Sequence, residues 1–271
     1  MAEQFDVVVI GGGPGGYAAA LYGAAAGLKV AVVEKDKVGG TCLHRGCIPA
    51  KEFLETAATY RHVKGASHFG ITAGEPTIDF SISQQRKQKI VDGLFKGLTG
   101  LMKKRKITVV KGTGRLGPNR TVIVDDGTEL QGTHVVLAGG SVPRTIPGFE
   151  VDGKLVLTSD EFLDLDHLPE NAAVIGGGAI GCEFASTLSD LGVKVTLLEA
   201  APKILPGCDR DVADVVVKSF KRRGLDVRTG VKITGHEPKA DGTGTLIQIE
   251  GSEPLDVGFV VVSIGRRPLS E

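Results

Sequence analysis

A chain of 271 residues, 41% hydrophobic and 24% charged, has material for one large domain or two ordinary ones, each with its own core. Its 32 basic and 32 acidic side chains cancel, which removes the electrostatic case for a nucleic-acid or anionic-membrane partner. No run reaches the ~18 consecutive apolar residues of a membrane span, the N-terminus carries neither a basic leader nor a cleavage pattern, and four cysteines are too few for a secreted disulfide scaffold; a soluble cytoplasmic protein is expected.

The chain opens with a strand, Phe5 to Ile10, of the apolar kind that suits a buried parallel sheet. Gly11, Gly13 and Gly16 follow with the spacing G-x-G-x-x-G. In a nucleotide-binding unit the first of these permits the tight turn, the second lets a diphosphate approach the backbone, and the third lets helix and strand pack closely. Ala18–Ala20 and Ala24–Ala26 are strong helix formers, Gly27 ends the helix, Val30 to Val33 returns to the sheet, and Glu34 closes the unit with a carboxylate suited to ribose hydroxyls.

Next comes "GGTCLHRGCIPAK", Gly39 to Lys51, with Cys42 and Cys47 four residues apart. Three readings compete: two small buried hydrophobes, a metal site that enlists His44, or a redox disulfide. The metal reading lacks a completing ligand nearby. The redox reading is favoured by a helix expected just after Cys47, whose N-terminus would stabilise a thiolate, by the freedom Gly46 gives the loop, and by Pro49 in an early helical position.

Residues 51–64 and 84–105 read as helices, the latter carrying Ile90, Val91, Leu94, Leu98 and Leu101 at helical spacing. The basic run Lys103 to Lys106 reads as the solvated end of that helix. Ile107–Val110, Thr121–Val124 and Leu130–Leu137 read as strands, with "DDGT" as a hairpin turn, and "VPRTIPG" marks departure from the first domain.

A second copy of the opening unit begins at Ala172. Gly176, Gly178 and Gly181 repeat the spacing, Gly192 closes the helix, and Glu199 stands at the end of the following strand. From first glycine to carboxylate the distance is 23 positions in both copies, 11 to 34 and 176 to 199. Two such units predict two bound nucleotides, with a ligand-free relic as the alternative for one of them. Glu199 favours NAD over NADP, because a 2′-phosphate would face a carboxylate, and Arg210 lies too far along to compensate. Val257 to Ile264 is the strongest of the later strands, after the polar run "EPKADGTG". His62, His68, His134, His167 and His236 lack ligand spacing, and Cys182 and Cys208 read as buried or incidental.

The cysteine segment, supported by "LAGGSVPRTIPG" and "VVVSIGRRP", resembles the flavin-dependent pyridine-nucleotide disulfide oxidoreductases along the whole chain. The resemblance implies an α/β fold of two Rossmann-like domains, residues 1–148 for FAD and 149–271 for NAD. FAD would sit at Gly11, Gly13, Gly16 and Glu34, and NAD at Gly176, Gly178, Gly181 and Glu199. Cys47 would face the flavin as a charge-transfer thiolate and Cys42 would exchange with a dithiol. Lys51 would lie near the flavin ring, paired with Glu183 across the domain boundary. The chain departs from the family's commoner pattern at His44-Arg45, where asparagine-valine is usual, at Ala50 and at Gly139-Gly140; Arg45 is expected to point to solvent.

The implied reaction is oxidation of a dihydrolipoyl group, carried by the acyltransferase of a 2-oxoacid dehydrogenase complex, with reduction of NAD⁺. The alternatives are an NAD(P)H-driven reductase of another disulfide or of mercuric ion, and a non-catalytic nucleotide-binding fragment. The family's return segment, its C-terminal dimerisation domain and the acid-base pair that domain gives to a partner subunit have no counterpart here. A truncated chain is therefore expected, homodimeric only when full length, with weak FAD retention and negligible lipoamide turnover.

Overall fold

The computed structural model describes residues 3–270, which form two compact units. The first takes in the chain up to Pro49, Gln88–Val142 and the segment from Pro268; the second takes in Ala50–Lys87 and Pro143–Arg267.

The first unit opens with β1 (Glu3–Ile10), α1 (Pro14–Ala25), β2 (Val30–Glu34) and α2 (Gly40–Arg45); α3 (Cys47–Lys64) lies in the second unit from Ala50 on, and α4 (Phe80–Lys104) lies in the first from Gln88 on. Four strands follow: β3 (Thr108–Lys111), β4 (Gly114–Leu116), β5 (Thr121–Val124) and β6 (Glu129–Leu137). Together they build one sheet in the order β3-β2-β1-β6-β5-β4, parallel from β3 to β6 and antiparallel beyond. Alternation on β1 and β2 feeds two cores: Val8, Ala31 and Val33 go to one, and Val9, Val30 and Val32 go to the other with Ala20 of α1 and Met102 of α4. Burial on both faces is why β2 reads as an unbroken apolar run. The expected "DDGT" hairpin is present, with Gly127 at φ +87° and its N–H donating to the Val124 carbonyl.

After β7 (Ser141–Pro143), the second unit contains β8 (Val156–Leu157), α5 (Ser159–Phe162), β9 (Asn171–Ile175), α6 (Ala179–Asp190), β10 (Lys194–Glu199), α7 (Arg210–Arg222) and β11 (Asp226–Thr229). β12 (Ile233–Pro238), β13 (Thr245–Ile249), β14 (Leu255–Val257) and β15 (Phe259–Val262) complete it. Its parallel sheet has the order β11-β10-β9-β15-β8, beside a three-stranded antiparallel sheet β12-β13-β14. The single strand expected over Val257–Ile264 is therefore two strands in two sheets. Gly258 makes the break: its N–H donates to both the carbonyl (3.1 Å) and the Oδ1 (2.8 Å) of Asn171, and a Cβ there would lie 3.0 Å from Pro169.

Residues 50–87 pack in the second unit, although the sequence grouped them with the first domain. Phe53 and Ala57 of α3 and Phe80 share a buried cluster with Phe184 and Leu188 of α6. Ion pairs reinforce the arrangement, Arg61 with Asp190 and Arg86 with Glu52. No helix among the described residues is long and apolar enough to cross a membrane.

Candidate functional site

The two glycine turns have one construction, and each glycine is required for a different reason. Gly11 and Gly176 have φ of +100° and +105°, and a Cβ at either would fall on a carbonyl oxygen, that of Ala138 at 2.2 Å or of Ser263 at 2.5 Å. Gly16 and Gly181 stand on the first turn of the helix, where a Cβ would be 1.8 Å from the Gly11 carbonyl oxygen or 1.9 Å from that of Gly176. The middle glycines differ. A Cβ at Gly178 would meet nothing within 4 Å, and one at Gly13 only Gly40 Cα at an ordinary 3.8 Å. Protein packing leaves those positions free, so the space above each helix N-terminus fits the close approach of a diphosphate.

The carboxylates that end β2 and β10 repeat one another as closely. Glu34 accepts from Gly12 N at 2.6 Å and Asp36 N at 2.8 Å; Glu199 accepts from Gly177 N at 2.6 Å and Ala201 N at 2.7 Å. Each glutamate thus fixes its turn to the end of the next strand, at the C-terminal edge of a parallel sheet where doubly wound folds bind ligands. Arg210, set aside as a partner for a 2′-phosphate, lies beside Asp214 with its side chain in solvent.

In both copies the chain after the second strand folds back under the turn. Leu205 N donates to Gly177 O at 2.6 Å, and Gly39 N donates to Gly12 O at 2.7 Å. In the first copy this loop carries Gly39 (φ +108°) and Gly40 (φ +56°), and a Cβ on Gly40 would be 2.6 Å from Gly13 Cα. The cysteine segment is therefore seated directly on the first glycine turn. The sequence alone did not assign Gly39 and Gly40 a role; their adjacency just before Cys42 was the available signal.

The segment itself is more helical than expected. Cys42 lies inside the short helix α2, and α3 opens at Cys47, four residues before the helix read over 51–64, with Pro49 in its first turn. Gly46 caps α2 and separates the two helices, and a Cβ there would lie 3.0 Å from the Thr41 carbonyl oxygen. Cys42 is half-buried and Cys47 exposed. His44, considered as a metal ligand, instead donates from Nε2 to the Val38 carbonyl at 2.9 Å and sets its ring edge-on to Phe95. Arg45 is exposed, as expected, and donates to the equally exposed Asp36 Oδ2 at 2.7 Å.

Lys51 lies four residues beyond Cys47 on the same helix and donates to both oxygens of Glu183, at 2.7 and 2.9 Å. Both residues belong to the second unit, so the pair does not bridge two units as the resemblance implied. Cys182 is buried beside the second turn, its Sγ donating to the Gly177 carbonyl at 3.4 Å. Burial, helped by the Glu199 carboxylate, pushes its pKa from 9.0 to about 12, which makes it an inert thiol.

Two glycine turns of one design, each between a strand and a helix of a parallel sheet and with a cysteine pair seated on the first, are the construction of the FAD/NAD(P)-binding fold. The chain belongs to the pyridine nucleotide-disulphide oxidoreductase family, whose sequence profile matches residues 5–271. It is 47% identical to a dihydrolipoyl dehydrogenase of Bacillus subtilis and 40% identical to one of Chlamydia pneumoniae, in each case over 98% of this chain. It spans 60% and 58% of the length of those relatives, corresponding to their N-terminal part. Among solved structures it superposes on LpdA from Mycobacterium tuberculosis with a TM-score of 0.90 at 26% identity, covering all of this chain and 60% of that one. It also superposes on RclA, an HOCl-induced flavoprotein disulfide reductase of Escherichia coli, with a TM-score of 0.84 at 29% identity, covering 98% of this chain and 57% of that one.

Proposed function

We propose that this chain carries the nucleotide sites and the redox disulfide of a cytoplasmic dihydrolipoyl dehydrogenase, with FAD at the Gly11–Gly13–Gly16 turn and NAD at the Gly176–Gly178–Gly181 turn. The observation that carries the reading is the seating of the cysteine segment on the first turn through Gly39 N to Gly12 O and the Gly40–Gly13 contact. A redox pair used by a flavin has to be fixed to the flavin's own binding turn, and a merely structural pair does not.

In this reading the thiolate of a dihydrolipoyl group attacks Cys42 of the oxidised pair, and Cys47 leaves as thiolate from the N-terminus of α3. The second substrate thiol then attacks the mixed disulfide, releasing Cys42 and oxidised lipoyl, so two electrons have moved from substrate to the cysteine pair. A flavin bound at the first turn supplies the two-electron relay to a nicotinamide bound at the second. Glu34 and Glu199 orient the turns and would offer carboxylate oxygens to ribose hydroxyls, and Lys51, held by Glu183, would be the cation that balances negative charge on a reduced flavin. The acyltransferase of a 2-oxoacid dehydrogenase complex is the partner this substrate implies, with a homodimer as the full-length assembly.

The likeness to RclA supports a second reading, reduction of another disulfide at the expense of NAD(P)H. Steady-state assay of the protein joined to the remaining portion found in its relatives separates the two. Dihydrolipoamide-dependent reduction of NAD⁺, lost in C42S and in C47S, is the expected result; preferential NAD(P)H oxidation by glutathione disulfide would overturn the assignment.

A further inference from the structure

We infer that His44 and Arg45, the two polar residues inside the loop between the cysteines, are positioning residues that set the thiol-disulfide equilibrium of Cys42 and Cys47. The inference rests on the reading of that pair as a redox couple.

Helix α2 has only six residues, too few to be stable by itself, so the placement of Cys42 depends on what ties the helix down. Its N-terminal end is held by Gly39 N on Gly12 O, and its middle by the buried Leu43. Two side chains hold its C-terminal end, and both reach back to the segment that follows β2: His44 to the Val38 carbonyl and Arg45 to the Asp36 carboxylate. The His44 ring meets Phe95 of α4 at 5.3 Å between centroids, which locks it from the other side. The base of the clamp is fixed in turn, because Asp36 N donates to Glu34 Oε1 while Gly12 N donates to Glu34 Oε2. An unbroken set of hydrogen bonds therefore runs from the first glycine turn, through Glu34 and Asp36, to Arg45 within the ring that a Cys42–Cys47 disulfide would close.

A disulfide forms only when the two Cα atoms come within a narrow range, and the entropy of ordering the intervening chain opposes it. With the clamp in place that ordering is already complete in the dithiol state. Without it the last turn of α2 frays when the pair is reduced, and ring closure becomes less favourable. The clamp thus stabilises the disulfide relative to the dithiol.

The test is equilibration of the 271-residue chain with mixtures of glutathione and glutathione disulfide. The reaction converts the Cys42 and Cys47 thiols and one glutathione disulfide to the Cys42–Cys47 disulfide and two glutathione thiols. Acid trapping, alkylation and peptide mass then give the equilibrium constant, and thermal melting confirms the fold of each variant. H44A is expected to lower the constant about three- to tenfold, while H44Q, which keeps a donor for Val38, stays nearer wild type. D36N, outside the loop and on the surface, lowers it in the same direction and reads the clamp even where H44A melts early. Constants for H44A and D36N within twofold of wild type would overturn the inference and leave the redox reading intact. A wild-type chain that forms no Cys42–Cys47 disulfide in the most oxidising mixture would overturn both.

Discussion

Lys51 donates to both carboxylate oxygens of Glu183, 132 residues away in sequence, yet the Lys51 side chain remains 60% exposed. An ion pair this open contributes little to folding, ~0–1 kcal/mol. E183A is expected to shift thermal stability by less than about 1 kcal/mol while slowing reduction of bound flavin by tenfold or more, read by stopped-flow absorbance. A melting temperature that falls steeply with no change in that rate would make the pair structural.

The glycines allow a sharper separation of fold from function. Gly181 has no room for a Cβ, which would lie 1.9 Å from the Gly176 carbonyl oxygen, whereas Gly178 faces open space at φ −73°. G181A is expected to cost more than about 2 kcal/mol by overpacking and backbone shift. G178A is expected to cost at most about 1 kcal/mol, from the weaker helix cap, and to weaken NADH binding at least tenfold. Denaturant melts and NADH titration check both, and a G178A variant that binds normally would remove the diphosphate from that turn.

Much of this arrangement was legible in the sequence. Both turns, both terminal glutamates and the cysteine pair announce themselves by residue type and fixed spacing, because each is dictated by local backbone chemistry. Of the long-range ties, the Lys51–Glu183 pair was expected from the resemblance and is present, but those that hold the cysteine loop were not legible. Nothing in the spacing shows that Arg45 meets Asp36 or that His44 meets the Val38 carbonyl, and α2 is too short for its periodicity to register. The strand expected over Val257–Ile264 failed for a related reason: an apolar run conceals a sheet change when the break is a single glycine bonded to a distant asparagine. Residues 50–87 join the second unit through apolar contacts with α6 that only tertiary structure reveals.

Asp190 illustrates a stabilising contact of that hidden kind. Its buried carboxylate accepts from Arg223 at 2.8 Å and from Arg61, joining the ends of α6 and α7 to α3. Removing one partner of a buried ion pair typically costs ~3–5 kcal/mol. D190A is expected to lie toward that range in urea denaturation, with the second unit most affected; a change below about 1 kcal/mol would show that water replaces the carboxylate.

The Cys182 thiol gives a pH signature. Its folded pKa of about 12 lies above its ordinary value of 9.0, so its contribution to stability is complete below pH 9 and is lost as pH rises toward 12. At pH 8 alkylation is expected to label the exposed Cys47 and Cys208 rapidly and to spare Cys182 until the chain unfolds. Prompt labelling of Cys182 in the native protein would contradict its burial beside Gly177.

The central claim is that the cysteine pair is electrically connected to a nucleotide on the Gly11 turn and, through it, to a nicotinamide. It is tested most directly by oxidising the pair, adding NADH anaerobically with and without saturating FAD, and counting the thiols released at 42 and 47 by mass tagging. The account predicts two new thiols per chain with FAD and none without it. Release at the same rate in both mixtures, or none in either, would contradict it.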